Sequence, residues 1–458
     1  MKESLHYEAK EASKGTPRSI WETYSAFCNT DGGVIQLGVS EDPGNQSLKY
    51  TGVKNSERMI RNIWSTLNDP SKVSINLLKD SDIRTENVDG AEIITITVPR
   101  ASRKDRPVYI NGNLNSGTYK RNCEGDYHCT ADEIREMISD AGRRTADSKA
   151  LKEYTMECID YGTVNRYRGF LRSYRSGHPW CEKEDNEFLE LIGAAELTDG
   201  RYVPTLAGLL MFGKLMCIKR EVPDYILDYT ERNSDRRYDY RFQSNTGMWS
   251  GNVFDFLIEV SARLSNVIGS GFGLNGFSNV GESPSYICAR ELIINALTHA
   301  DYSGRMGIRM SLEGSVLTVS NPGCMRIPIE EALRGGSSDP RNSTMMSMLN
   351  FIGFVENMGS GLRSVMDEKK KGNIYRFEIS ESFEPSRVTA VLGMNMSGGS
   401  RLEDSILTMM KEDPSISLRT ISRTTGEPMS KVVSTVNGLR EKKRVSRKGK
   451  TRGEWIIG

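Results

Sequence analysis

Glu291-Leu-Ile-Ile-Asn295-Ala-Leu-Thr-His299 opens the stretch that decides how this chain folds, and Asn321-Pro-Gly323 and Asn357-Met-Gly359-Ser-Gly361-Leu362 complete it. Ile287, Leu292, Ile293, Ala296 and Leu297 recur at helical spacing and give this segment a buried face. Glu291 and Asn295 are four apart, so both project from one side of the helix, about a turn from each other. Residues 306–312 and 315–320 read as a hairpin around Glu313-Gly314, whose second strand delivers Asn321. Gly335-Gly-Ser-Ser-Asp-Pro-Arg-Asn342 reads as a flexible lid. Gly359-Ser-Gly361 precedes another helix, where backbone N–H groups can face phosphate oxygens.

An acid and amide on one helix face, followed by two glycine turns, is the layout of a nucleotide pocket. In such a pocket the Glu291 carboxylate can orient an attacking water, and the Asn295 amide oxygen is a hard ligand for Mg2+ bridging the phosphates. Asn321 can accept from an adenine amino group, with Gly323 allowing close approach of the ring. Gly359 and Gly361 would approach the phosphates.

The totals bound the alternatives. At 458 residues the chain divides into three or more domains. Lys and Arg number 61 against 60 Asp and Glu, so affinity for an anionic polymer must come from local patches. No run approaches the ~18 apolar residues of a membrane span, and Leu206–Phe212 is the densest apolar patch. The eight scattered cysteines do not form a disulfide framework and predict a reducing cytoplasmic setting. Cys123, His128 and Cys129 lack the paired spacing of a zinc site.

Along the chain, Ile20–Cys28 predicts a helix stopped by Asn29-Thr-Asp31-Gly32-Gly33, with strands at 34–39 and 91–98 and a closing helix near 131–139. Residues 143–149 are polar and read as a linker. Helices are expected at 165–175, 188–195, 205–214 and 252–268, and strands at 225–229 and 238–242. From 397 on, three helical patterns lead into a basic hairpin around Lys450-Thr-Arg-Gly453. Residues 401–458 carry 13 Lys and Arg against 7 Asp and Glu. That order predicts a winged helix–turn–helix whose third helix enters the DNA major groove. Ser430 and Lys431 would face the DNA from that helix, and Arg444, Arg447, Lys448, Lys450 and Arg452 would meet phosphates.

Two resemblances sharpen this. SAFCNTDGGVIQLGV, RPVYINGN and GTYKRNCEGDYHCT, in that order, resemble the AlbA-like domain of Schlafen-related proteins over about the first 140 residues. The resemblance implies a small α+β domain that binds nucleic acid; Arg106, Lys120 and Arg121 would be among its phosphate contacts. Some Schlafen proteins are metal-dependent ribonucleases with a Glu-Ser-x-x-x-Glu-x-Lys motif. Glu3, Glu8 and Lys10 stand at those positions, but the third acid falls imperfectly at Ser40 or Glu41. ELIINALTHADY, VSNPG and ENMGSGL resemble the divergent gyrase, histidine-kinase and MutL type ATP-binding domain. It is found fused to AlbA-like domains in proteins labelled RecG-like or transcriptional regulators. By that resemblance Glu291 matches the base, Asn295 the Mg2+ ligand, and Asn321 stands where the superfamily has an adenine-reading Asp. The missing carboxylate and the glycine-poor phosphate loop predict a weak ATPase at most.

The sequence therefore predicts an α+β multidomain chain: an AlbA-like domain at 1–140, a linker and middle α/β region at 141–280, a Bergerat-type α/β sandwich at 281–396 and a winged helix at 397–458. The expected function is an ATP-binding, DNA-binding transcriptional regulator, cytoplasmic and without a membrane span. RNA is a second candidate partner, and a homodimer suits two-fold DNA sites. The alternative is a Schlafen-like ribonuclease acting through Glu3, Glu8 and Lys10.

Overall fold

The computed structural model describes residues 4–13, 15–42, 47–123, 125–142, 145–232, 237–268, 283–304, 306–355, 361–394 and most of 406–457. In the N-terminal domain, β1 (Tyr7–Lys10), β2 (Gly33–Leu37), β5 (Ile83–Val88) and β6 (Ala91–Val98) form one sheet in the order β1-β2-β6-β5, with β1 and β2 parallel. The intervening α1 (Ile20–Asn29), β3 (Val39–Asp42), β4 (Ser47–Tyr50) and α2 (Ser56–Leu67) complete the first half. The core is Phe27, Ile35, Leu37, Ile63, Ile94 and Ile96 with their neighbours. Asn29, expected to stop α1, does more than turn the chain. Its amide donates to the carbonyls of Val108 and Tyr119 and its oxygen accepts from the Val108 N–H, so it fastens the 106–119 loop to the helix. The hairpin β7 (Tyr119–Asn122) and β8 (Gly125–His128) leads to α3 (Ala131–Ala141). Thr130 and Glu133 cap α3 reciprocally, each side chain accepting from the other's backbone N–H.

The 143–149 segment is no solvated linker where it is described. Asp147 is fully buried, accepts from the N–H of Met345 and from Thr344 Oγ1, and so ties this segment to a helix some 200 residues away. The central elements are α4 (Tyr161–Tyr174), α5 (Asp185–Leu191), β9 (Ala195–Thr198), β10 (Arg201–Pro204), α6 (Leu206–Phe212), α7 (Leu215–Glu221), β11 (Leu227–Arg232), β12 (Tyr240–Gln243), α8 (Val253–Ile268) and α9 (Pro284–His299). They continue as β13 (Ile308–Glu313), β14 (Val316–Pro322), α10 (Ile329–Arg334), α11 (Ser343–Phe351), α12 (Gly361–Lys370), β15 (Ile374–Phe383) and β16 (Ser386–Met394).

The boundary expected at residue 280 does not divide this unit. β11 and β12 join a six-stranded sheet in the order β12-β11-β13-β14-β16-β15, with β11 parallel to β13. One hydrophobic core runs from Leu151 to Met394. Pairing β11 with a strand some 80 residues later is a non-local decision that no local pattern announces. Within this core α9 packs on β14 and against α8 and α12, which sets its Glu291 face beside the sheet.

Two of the eight scattered cysteines are nonetheless paired. A bridge between Ile159 and Gly213 brings the flanking segments together, and Cys158 and Cys217 are joined as a disulfide with Cα atoms 5.8 Å apart. Among the described residues no helix is long and apolar enough to cross a membrane.

The C-terminal segment has helices Leu418–Thr425 and Met429–Glu441 and an antiparallel hairpin of Val445–Lys448 with Glu454–Ile457. Ile406, Met410, Ile421, Val432, Val436, Leu439, Val445 and Trp455 form its own small core.

Candidate nucleotide site and the domain seam

Ser283 caps α9 by accepting from the Tyr286 N–H, and Pro284 occupies its first turn. The opposite faces of this helix divide the work. Ile293 and Leu297 are buried in the core, while Glu291, Asn295 and His299, at successive intervals of four, line a cavity. The far wall comes from the sheet, through Val319, Asn321, Ile379, Val388 and Ala390. Gly361 and Leu362 at the start of α12 close one end, and Arg326 with Ser337, Ser338 and Asp339 of the expected lid close another. Counting its open mouth, the cleft comprises about 1000 Å³ of empty space. Mostly apolar with a few polar groups, it has the character of a small-ligand site.

Glu291, Asn295, Asn321 and Gly361 thus surround one cavity. Asn295 Nδ2 donates to Glu291 Oε1 at 3.1 Å, which leaves the Asn295 carbonyl oxygen as a donor for a cation. Among the described residues no group of three His, Cys, Asp or Glu is arranged to hold a metal unaided. The Asn295 carbonyl oxygen is a hard donor of the kind Mg2+ accepts alongside phosphate oxygens. The Asn321 amide donates to the Pro322 carbonyl at 3.1 Å, so its oxygen is the atom left to accept from a ligand. A Cβ at Gly361 would collide with the Glu291 carboxylate, which explains the glycine there.

Gly323 does something other than admit an adenine ring. It has φ +91°, does not line the cavity, and a side chain there would strike the Arg341 guanidinium. It exists to let Arg341 through. Gly359 lies outside the described residues. His299 was not singled out from sequence, although its spacing from Asn295 could have revealed it. Burial, and then Arg341 and Arg326, push its imidazole down to about 4, so it faces the cavity neutral at pH 7.

The cations expected at phosphates are placed elsewhere. Arg121 is 1% exposed, paired with Glu8 at 2.7 Å and Asp126 at 2.9 Å, and donates to the carbonyls of Ser4 and Tyr7. Arg106 is buried and carries an unpartnered Nε. Lys120 lies between Glu133 at 2.7 Å and Glu384 at 3.5 Å. The other basic residues of this face reach across to the central unit. Arg100 forks onto both oxygens of Glu381 at 2.7 and 3.0 Å, and Arg103 pairs with Asp339. In the opposite direction Asp140 at the end of α3 accepts from Arg326 Nε at 3.2 Å and from Arg341 Nε and Nη2 at 3.0 and 2.6 Å. The result is a seam of reciprocal ion pairs that ends on the cavity wall at Arg326 and Asp339.

Two carboxyls at the seam titrate in opposite senses. Burial pushes Asp140 up, but Arg341 and then Arg326 beside it more than reverse this and hold it below the usual range. Burial, with Asp301 adding to it, pushes Glu136 up to about 7 despite Arg341. The folded protein therefore keeps a proton on Glu136 that the unfolded chain releases near 4.5, and stability falls as pH rises from there to about 7. Glu136→Gln should raise the melting temperature at pH 8, leave it unchanged at pH 4 and flatten the slope between them. After allowance for partial exposure the gain is on the order of 1–2 kcal/mol. An unaltered slope in a pH series of thermal melts would contradict this assignment.

Of the nuclease candidates, Glu3 lies outside the described residues. Both oxygens of Glu8 are engaged, one by Lys10 at 2.7 Å and the other by Arg121.

Comparison with known proteins agrees with the N-terminal domain and with part of the central unit. Residues 3–130 match the Schlafen AlbA_2 family, residues 135–228 match a domain of unknown function (DUF8451), and residues 307–391 match the family described as "Putative ATP-dependent DNA helicase recG C-terminal". The last match begins after α9, so Glu291 and Asn295 lie upstream of it. No curated protein matches the chain significantly. Among solved structures, the DIP2311 protein from Corynebacterium diphtheriae is similar at 16% identity, over 99% of this chain and 80% of that one, with a TM-score of 0.41. The N-terminal domain of a "Putative ATP-dependent DNA Helicase RecG-related Protein" from Nitrosomonas europaea shares 29% identity over 28% of this chain and 86% of that one, with a TM-score of 0.23. The chain carries a Schlafen AlbA_2 domain at its N terminus and, within its central unit, a RecG C-terminal type HATPase domain.

Proposed function

We propose that the protein is a nucleotide-dependent, nucleic-acid-binding regulator whose central cavity takes Mg2+-ATP. The observation that carries this is the convergence of Glu291 and Asn295 of α9, Asn321 of β14 and Gly361 of α12 on one cavity from three separate elements. Asn295 would ligate the ion, the Asn321 oxygen would accept from the base, and Glu291 would orient water if turnover occurs. The apolar sheet wall would cover the base. With Arg326 the only cationic side chain on the described cavity wall, charge neutralisation falls largely to the bound ion, in keeping with a sensor more than a fast ATPase.

The C-terminal segment would act as a winged helix on duplex DNA. Its two described helices, its hairpin and its separate core support this, as do the exposed Ser430, Arg444 and Arg447. The side chains of Lys431, Lys448, Lys450 and Arg452 lie outside the described residues. Arg447 sits over the Trp455 ring at 4.8 Å, so it would present a partly fixed guanidinium. The ribonuclease alternative is disfavoured because Glu8 is already neutralised by Lys10 and Arg121, which compete with any divalent ion for its oxygens.

Calorimetric titration with Mg2+-ATP tests the pocket. Wild type should bind at micromolar to millimolar concentration, and Asn295→Ala and Gly361→Ala should each weaken binding at least tenfold. Asn295→Ala should do so without lowering the melting temperature of the free protein, whereas Gly361→Ala also presses on Glu291 and its melting temperature is measured alongside. Binding left intact in both variants would remove the nucleotide from this cavity.

A further inference from the structure

The basic face of the AlbA_2 domain is covered by carboxylates of the central unit. Glu381 and Glu384 stand at the tip of the β15–β16 hairpin and Asp339 on the lid, and each meets a cation of the N-terminal domain. The Arg100 fork on Glu381 is the same bidentate geometry by which arginine holds a phosphate. Its guanidinium also lies over the Phe383 ring at 5.7 Å, in the place a stacked base would take. Asn122 Nδ2 donates to Glu384 Oε2 at 2.8 Å beside Lys120, so one carboxylate gathers a cation and an amide together. Arg100 and Glu381 are 8% and 5% exposed at their side chains, whereas Glu384 is 61% exposed, so the seam is tight at its centre and open at its rim.

We propose that Glu381, Glu384 and Asp339 act as phosphate mimics that mask the nucleic-acid-binding face of the AlbA_2 domain, an autoinhibitory contact that a nucleic acid must displace. The inference rests on the reading of that domain as a nucleic-acid binder and adds its regulation. The same cations cannot serve carboxylates and phosphates at once, so opening of the seam and binding of the polymer are one equilibrium. The rim pair is where displacement begins, because Glu384 already faces solvent and pairs with Lys120 at only 3.5 Å. Since Asp339 also lines the nucleotide cavity, the mask is fastened at one point to the wall of that site.

The test uses the full chain and a short fluorescein-labelled single-stranded RNA, chosen because the C-terminal segment is expected to prefer duplex. Anisotropy is measured across a salt series for wild type, Glu384→Lys and the Asp339→Asn/Glu381→Gln pair. Glu384→Lys alters an exposed residue and should fold normally, which keeps the test independent of the buried pair. Both variants should bind about tenfold tighter than wild type. The plot of log affinity against log salt should steepen by about 0.7 for each cation released to a phosphate. If wild type binds RNA and the variants match it in affinity and slope, the mask is refuted while the nucleic-acid reading stands. If no form binds RNA at any salt concentration, both fall.

Discussion

Arg121→Met is expected to destabilise the N-terminal domain by about 3–5 kcal/mol, the cost of leaving buried charges without their partner. Arg121 holds together elements that are far apart in sequence. It pairs with Glu8 on β1 and Asp126 on β8, donates to the Ser4 and Tyr7 carbonyls, and lies over the Phe27 ring at 5.3 Å. Methionine fills the space of the stem but leaves two carboxylates in a site about a tenth exposed. Against a domain stability of about 5–15 kcal/mol this is a large fraction. Urea unfolding followed through N-terminal tryptophan fluorescence should show the loss. Adding Glu8→Gln should restore part of it by removing one orphaned charge. A normal unfolding curve with lost nucleic-acid affinity would instead return Arg121 to the role of a phosphate contact.

The second large effect is expected at Asp140. Asp140→Asn keeps the shape of the side chain but removes the charge shared by Arg326 and Arg341, which are 4% and 7% exposed at their side chains. Arg341 retains the carbonyls of His299 and Cys324, and Arg326 retains the Pro340 carbonyl and Asp339, so neither loses every partner. Two buried guanidiniums with one nearby carboxylate fewer should still cost about 3–5 kcal/mol. The loss should appear both as a lower melting temperature and as faster proteolysis in the 142–145 region as α3 detaches. Because Asp140 titrates below its usual range, its stabilisation is complete above about pH 4 and disappears only as the pH falls through the depressed value. The gap between wild type and Asp140→Asn should therefore close in strong acid, and it should narrow between about pH 5 and 7 because Asp140 is one of the charges that hold Glu136 up. A gap that persisted in strong acid would point to another group.

These effects bear on how the seam reads from sequence. Arg100, Arg103, Lys120 and Arg121 form a cluster with every mark of a phosphate-binding face, and charge density alone cannot distinguish a cation awaiting a polymer from one already neutralised. The distinction depends on Glu381, Glu384, Asp339 and Asp126, three of which lie more than 200 residues away. Gly323 illustrates the same limit. Its position in Asn-Pro-Gly marks a tight approach, but whether an adenine or the Arg341 guanidinium makes that approach is decided by a side chain 18 residues later.

By itself the sequence determined the local elements and their periodicity: the helix carrying Glu291 and Asn295, the hairpin delivering Asn321, and the closing helix α3. These depend on contacts within a few turns or on a single hairpin, where spacing and capping chemistry suffice. The tertiary structure decided what those elements meet. Only it could pair β11 with β13 and erase the expected boundary at residue 280, bond Cys158 to Cys217, and consume the basic face of the AlbA_2 domain in ion pairs. Each of these joins groups distant along the chain, and their energy is realised only once the loop entropy of bringing them together has been met by the shared core.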